Sequence, residues 1–265
     1  MMEKNPLGSS DVLVSLIGLG TVKFGRNQGV RYPQHFELPT DEEISELLSA
    51  ASYLGINLLD TAPAYGSSEE RLGKLLKGKR KDWILCTKIG EDYLNGESRF
   101  DFSAVGVQQS IIRSLKRLGT DYLDIVLVHS NGQDAKIIEE DRVFDFLAAL
   151  KQAGIIRAFG MSTKTIEGGM LAVDQSDVVM VTYNPTQPEE HPVIAYAAEQ
   201  NKGILIKKAL ASGHLNKIST EDPVREAMNF IFQEPGVSSV IVGTLNKEHL
   251  EYNVRCAIEA KKILL

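Results

Sequence analysis

The amino-acid sequence predicts an α/β protein, a (β/α)8 TIM barrel forming a single domain over residues 1–265. Two features carry that expectation. Short apolar runs rich in β-branched residues recur eight times, and a longer amphipathic stretch follows each of them. No linker rich in proline, glycine or serine and no shift of composition divides the series, so one domain is the economical reading. Strands joined by helical crossovers are parallel with a fixed hand, and eight such units close a barrel of about 250 residues. An open, doubly wound sheet is the competing arrangement of the same elements.

The strand runs fall at 14–18, 56–60, 83–88, 122–129, 156–162, 178–181, 204–206 and 237–242. Most are continuously hydrophobic, as strands covered on both faces must be. Thr40 and Glu43 form a capping-box pattern ahead of Ile44, Leu47, Leu48 and Ala51, which share one helical face. That helix should stop near Gly55, a residue tolerant of the left-handed cap. A second helix is expected over 103–118, with Val107, Ile111, Leu115 and Leu118 on one face and Gly119 closing it. Others are expected over 143–153 ending at Gly154, over 193–201 ending at Gly203, and from Asp222-Pro223 onward, with proline at its permissive first position. The last spans Lys247–Lys262.

Composition narrows the class. Of 265 residues 43% are hydrophobic and 24% charged, enough for a sizeable core. Thirty-five acidic against 29 basic residues give a net charge of −6, which argues against a nucleic-acid partner, where a basic stripe is expected. Cys86 and Cys256 lie far apart without metal-ligand spacing. No disulfide framework and no metal site is expected, and a reducing cytoplasm is the natural setting. The opening Met-Met-Glu-Lys-Asn-Pro leads into no apolar segment of the signal-peptide kind. No run approaches the roughly 18 apolar residues of a membrane helix, so no membrane partner is expected. The oligomeric state is not legible.

Gly18-Leu-Gly20 after the first strand invites a dinucleotide fingerprint, but Lys23 stands where the third glycine belongs. The acidic residue required about 20 positions on is also missing. The glycines read better as a tight strand-to-helix turn.

In a barrel, functional side chains collect at the C-terminal strand ends, where the eight connecting loops meet. Asp60 ends the second strand and Tyr65 follows in its loop; Lys88 ends the third and His129 the fourth; Ser162 and Thr163 end the fifth. Each has a bland alternative as cap, surface aromatic or structural histidine. A lysine closing the apolar run 83–88 is nevertheless costly to bury unless paired, and the coincidence at consecutive strand ends points to one site.

These stretches resemble the aldo-keto reductase superfamily. The likeness lies in Leu-Leu-Asp60-Thr-Ala-Pro-Ala-Tyr65-Gly, in Cys-Thr-Lys88-Ile-Gly and in Asp121-Tyr-Leu-Asp-Ile-Val-Leu-Val-His129. It continues through Phe159-Gly-Met-Ser162-Thr, Tyr183-Asn-Pro, Ala209-Leu-Ala-Ser212-Gly and Ile241-Val-Gly-Thr244-Leu-Asn-Lys-Glu-His249. It implies an oxidoreductase reducing the carbonyl of an aldehyde or ketone to an alcohol, with hydride from NADP(H), or NAD as the alternative. Asp60, Tyr65, Lys88 and His129 would be catalytic. Tyr65 would donate the proton, Lys88 favour phenolate character, Asp60 hold the lysine charged, and His129 orient the carbonyl oxygen. By matched position Gly20 and Thr21, with Asp60, lie on the nicotinamide side, and Ser162 and Thr163 reach the carboxamide. Leu210 and Ser212 would cover the pyrophosphate. Gly243 and Thr244 precede a helix whose N-terminus suits phosphate, and Lys247, His249 and Asn253 approach the adenosine.

The chain also departs from the pattern. Met180 replaces a frequent glutamine at the carboxamide, and Lys207 a frequent aromatic residue at the nicotinamide ring. His249 stands for an arginine and Tyr252 for a glutamate near the adenosine. The short polar loop 130–134 suggests an open, polar pocket. Three rival readings stay on the page: a non-catalytic, cofactor-binding regulatory subunit of this fold; a lyase or aldolase using Lys88 as a Schiff-base amine; and a metal hydrolase, for which His191, His214 and His249 lack tight spacing.

Overall fold

The computed structural model describes residues 2–30, 32–214 and 220–262. It opens with an antiparallel hairpin, β1 (Lys4–Pro6) and β2 (Leu13–Ser15), and enters the barrel at β3 (Ile17–Gly20). After α1 (Val22–Gly25) and α2 (Asp41–Tyr53) come β4 (Leu58–Asp60), α3 (Ser68–Leu75) and β5 (Ile84–Ile89). A second hairpin, β6 (Glu91–Leu94) with β7 (Glu97–Phe100), precedes α4 (Ala104–Leu118). Then follow β8 (Leu123–His129), α5 (Asp134–Glu139), α6 (Val143–Gln152), β9 (Ile156–Ser162) and α7 (Ile166–Gln175). The chain finishes with β10 (Val178–Thr182), α8 (His191–Glu199), β11 (Gly203–Lys207), α9 (Pro223–Phe232), β12 (Val237–Val242) and α10 (Lys247–Lys262). The eight parallel strands β3, β4, β5, β8, β9, β10, β11 and β12 close into a barrel, β12 pairing back onto β3. The open-sheet alternative is thereby excluded. No helix among the described residues is long and apolar enough to cross a membrane.

Alternation along the strands builds two cores. Leu58, Cys86, Ile125, Leu127, Ala158, Val178, Met180 and Leu205 fill the barrel interior, while Leu59, Leu85, Val126, Val128, Phe159, Val179, Ile204 and Ile206 face the helices. Successive residues of a strand point to opposite faces. Continuing the inner set by twos therefore turns Asp60, Lys88, His129, Ser162, Thr182 and Lys207 inward at the C-terminal ends. Leu7, Val12 and Val14 of the first hairpin join the inner cluster. The hairpin reaches the N-terminal strand ends, where Gly8 bridges Lys202, and closes that end of the barrel.

Several boundaries differ from the sequence expectation. The run at 14–18 is broken: the Ser15 hydroxyl accepts from Asn57 N at 3.0 Å and donates to Ile17 O at 2.7 Å, separating the hairpin strand from the barrel strand. The helix expected over 193–201 spans His191–Glu199; Asn201 takes the left-handed conformation (φ 52°), and Gly203 instead opens β11 beneath Leu7. The capping box at Thr40 and Glu43, the left-handed Gly119 and the Asp222 cap are present.

Candidate active site

Two charges sit below the barrel mouth. Lys88 is 1% exposed and Asp60 4%, and Lys88 Nζ donates to Asp60 Oδ1 at 2.6 Å and to Thr61 O at 2.9 Å. Burial alone would lower the lysine pKa, but Asp60 and then Tyr65 outweigh it and hold the group above its ordinary value. The pair favours the charged ammonium, which counts against the Schiff-base reading, since that needs a free amine.

Tyr65 comes from the 3-10 turn Pro63–Tyr65 just after β4, where proline presets the bend. The turn is clamped by backbone contact. A Cβ on Gly25 would lie 2.4 Å from Tyr65 O, and one on Gly66, at φ 61°, 2.1 Å from Gly25 O, so neither position admits a side chain. Buried hydroxyls tie the same region: Thr21 Oγ1 donates to Asp60 O at 2.9 Å, Ser68 Oγ to Thr21 O at 3.0 Å, and Thr61 Oγ1 to Ser68 Oγ at 3.1 Å. The ring rests over the ammonium, with Lys88 Nζ 4.9 Å from its centroid. Burial raises the phenol pKa most, and Lys88, by charge and hydrogen bonding, pulls back only part of that rise. Lys88 thus favours phenolate, as the sequence suggests, but burial outweighs it and the resting group is a protonated phenol.

The His129 ring stands edge-on to Tyr65 with centroids 6.3 Å apart. Its Nδ1 is 2.7 Å from Glu91 Oε2, a close contact that falls short of a well-directed hydrogen bond. Burial lowers the histidine pKa despite Glu91. Burial would raise Glu91, but His129, Ser98 and Arg26 bring it down to about 2. Beside a carboxylate, Nδ1 is the nitrogen that carries the proton. Nε2 is then free for a ligand oxygen, accepting when the ring is neutral and donating when it is protonated. Glu91 was not among the residues picked from sequence. It sits on the β6–β7 hairpin, whose Asn95-Gly96 turn (φ 53° and 88°) is a sequence signal for such a hairpin.

Across the mouth, Lys207 Nζ donates to Ser162 Oγ at 2.9 Å and to Thr163 O at 2.6 Å. Thr163 Oγ1 donates to Glu190 Oε1 at 3.2 Å, and Glu190 Oε2 accepts from Thr182 N at 2.7 Å. Tyr32 leans over from the loop after β3; a Cβ on Gly243 would be 3.0 Å from its hydroxyl. Lys23 Nζ lies 4.2 Å from its ring centroid. Burial and then Asp60 push the Tyr32 phenol up to about 12. In the loop 130–134 Ser130 and Asp134 are buried while Asn131 and Gln133 are exposed, and Asp134 Oδ2 accepts from Lys164 N, Thr165 N and Thr165 Oγ1, each at 2.8 Å.

Residues 16–227 match the model of the aldo/keto reductase family. The chain belongs to the aldo-keto reductases. A solved structure assigned to that family, PA4992 from Pseudomonas aeruginosa, is 50% identical and superposes with a TM-score of 0.89, covering 97% of this chain and 94% of that one. The aldo-keto reductase YhdN of Bacillus subtilis is 34% identical over 83% of this chain and 66% of its own length. The NADH-specific methylglyoxal reductase of Escherichia coli is 27% identical over 84% of this chain and 72% of its own. This aldo-keto reductase is accordingly an oxidoreductase that uses a nicotinamide cofactor and acts on small carbonyl compounds.

The mouth of this aldo-keto reductase has a donor set that fits a dinucleotide. Ser162 Oγ accepts from Lys207 and keeps its own proton to donate, the buried Thr163 hydroxyl is already donated to Glu190, and on the other side neither Gly20 nor Gly243 carries a side chain. The remaining positions are unequal. Thr21 is fully buried with its hydroxyl engaged by Asp60 O, so it has no hydroxyl for a ligand. Met180 is 2% exposed within the inner cluster. Leu210 packs against the outer core and Ser212 is left-handed (φ 55°). Thr244 Oγ1 accepts from Asn246 N at 3.0 Å, and Asn246 Oδ1 from His249 N at 2.9 Å, capping α10. Lys247 is exposed but pairs with Glu46 at 2.5 Å; His249 is exposed; Asn253 is 3% exposed on the inner face of α10. Among the described residues no group of three or more metal-ligating side chains exists.

Proposed function

We propose that the chain, acting as one domain over 1–265, is an NADPH-dependent reductase turning an aldehyde or ketone into an alcohol. The observation that carries this reading is the fully buried Lys88–Asp60 pair lying directly beneath the Tyr65 ring. The cofactor supplies hydride to the carbonyl carbon. Tyr65 supplies the proton to the oxygen as negative charge develops there. Its phenol, held protonated by burial, is the correct resting form for a donor, and the ammonium of Lys88 stabilises the phenolate left behind. Asp60 keeps that ammonium charged and in place. His129, steered by Glu91 through Nδ1, presents Nε2 to the same oxygen and fixes its approach.

The same reading assigns the nicotinamide half to Gly20, Asp60, Ser162, Thr163, Met180 and Lys207, with the backbone of Thr21. It assigns the phosphates to Leu210, Ser212, Gly243 and Thr244, and the adenosine end to Lys247, His249 and Asn253. Choice of NADPH rests on positive charge from Lys247 and His249 at the start of α10. NADH is the second reading, favoured by the Lys247–Glu46 pair, which engages one of those charges. It is also favoured by the NADH-specific relative. Fluorescence titration of the Lys247→Ala/His249→Ala double variant should weaken NADPH about tenfold and leave NADH nearly unchanged, a loss of the size expected for one or two charge-assisted contacts. Wild-type NADPH affinity should fall with added salt. Equal losses for both cofactors would place the 2′-phosphate elsewhere.

A further inference from the structure

Lys207 is the last residue of β11, and the alternation that puts Leu205 inside the barrel turns Lys207 into the mouth. Its ammonium bridges Ser162 Oγ and Thr163 O, the two residues assigned above to the carboxamide. Among the described residues no carboxylate forms a direct ion pair with it. Glu190, from the loop before α8, acts at longer range and is itself engaged by Thr163 and Thr182; Asp134 acts from the start of α5. Two cations oppose them, Lys208 next in the chain and Lys88 on β5, and His129 on β8 feels Lys207 in turn.

We propose that Lys207 makes this site distinguish the two redox forms of its cofactor, its removable positive charge penalising the cationic oxidised nicotinamide and sparing the neutral reduced one. The inference rests on the nicotinamide reading given above. Like charges a few ångströms apart in a partly desolvated mouth repel strongly enough to shift relative affinity by about tenfold or more. The charge can also be switched off. Burial lowers the Lys207 pKa to about 8, Glu190 restoring only part of the loss. Lys88 and Tyr65 are held above their ordinary values and His129 below its own. Burial raises Glu190, and Lys207, Thr182 and Thr163 pull it back. Between pH 7 and pH 9.5 the Lys207 charge, held against Ser162 and Thr163, is therefore expected to change. Linkage is reciprocal, so binding the oxidised cofactor near pH 8 should release protons from Lys207, and binding the reduced one should not.

The test is equilibrium titration of the full chain with NADPH and NADP+ at both pH values, in wild type, Lys207→Met and Lys207→Arg. The readout is the ratio of the oxidised to the reduced dissociation constant, in which titration of the shared 2′-phosphate cancels. Wild type should show a ratio about tenfold higher at pH 7 than at pH 9.5. Lys207→Met should show the low ratio at both, and Lys207→Arg, with an always-charged guanidinium, the high ratio at both. A Lys207→Met protein that keeps the wild-type ratio and pH response overturns the proposal. So does a wild-type ratio that ignores pH, which needs no variant to fold. If neither cofactor form binds at all, the nicotinamide reading falls as well; binding of both with an unchanged ratio removes this inference alone.

Discussion

Tyr65→Phe is expected to lower turnover by about 10²- to 10⁴-fold while cofactor affinity stays within about threefold. The substitution removes one oxygen and keeps the ring. The edge-on contact with His129 and the cation–ring contact with Lys88, both made by the ring itself, should persist. What disappears is the proton for the developing alkoxide, which water at this buried position supplies poorly. Steady-state rates, paired with single-turnover traces showing that chemistry limits the rate, check the claim. Retention of more than about a tenth of wild-type turnover would take the proton-donor role away from Tyr65.

Lys88→Met is expected to destabilise the fold by roughly 3–5 kcal/mol and also abolish turnover. With the ammonium gone, Asp60 keeps a charge at 4% exposure with its partner removed. Tyr65 simultaneously loses the cation that offsets its burial, so its phenolate becomes still harder to form. Adding Asp60→Asn removes the orphaned charge. The double variant should recover much of the stability and none of the activity. A double-mutant cycle on unfolding free energy, run beside the kinetic assay, separates the two effects. Additive stability losses would mean that the 2.6 Å contact is not energetically coupled.

Strand parity made much of the site readable without a structure. Once the runs at 56–60, 83–88 and 122–129 are taken as buried barrel strands, Asp60, Lys88 and His129 must all end at the same mouth. Their polarity in otherwise apolar runs marks them. Tyr65 joins them by its place in the loop after the second strand, but its proton-donor role needs the family likeness, because nothing local says that a tyrosine in a glycine-bounded turn points inward. Its placement depends on Gly25 and Gly66 meeting backbone to backbone across more than 40 residues of chain, a contact that leaves no trace in periodicity.

Glu91 and Glu190 escaped for a related reason. Each acts through a partner distant in sequence; Glu91 lies on the short β6–β7 hairpin and Glu190 in the loop before α8, both outside the alternation of barrel strands and helices. The Asn95-Gly96 turn could have disclosed the first hairpin partner. Nothing near Glu190 announces that its carboxylate will meet Thr163 and Thr182. Composition also says nothing of burial strength, so the desolvation that opposes Lys88 at the Tyr65 phenol is visible only in the structure. The N-terminal plug was missed because three apolar residues, Leu7, Val12 and Val14, are too few to show a period.

Under the proposed function this barrel transfers hydride to a carbonyl rather than merely holding a cofactor. The most direct measurement supplies NADPH or NADH carrying deuterium at the transferable ring position, together with small aldehydes including methylglyoxal, a sugar aldehyde and an aromatic aldehyde. The alcohol formed is then weighed by mass spectrometry. One deuterium in each alcohol molecule, one cofactor oxidised per alcohol, and loss of both signals in Tyr65→Phe protein that still binds cofactor are expected. Saturable cofactor binding with no deuterium reaching any aldehyde would contradict the proposed function and leave a cofactor-binding module with an intact but idle tetrad.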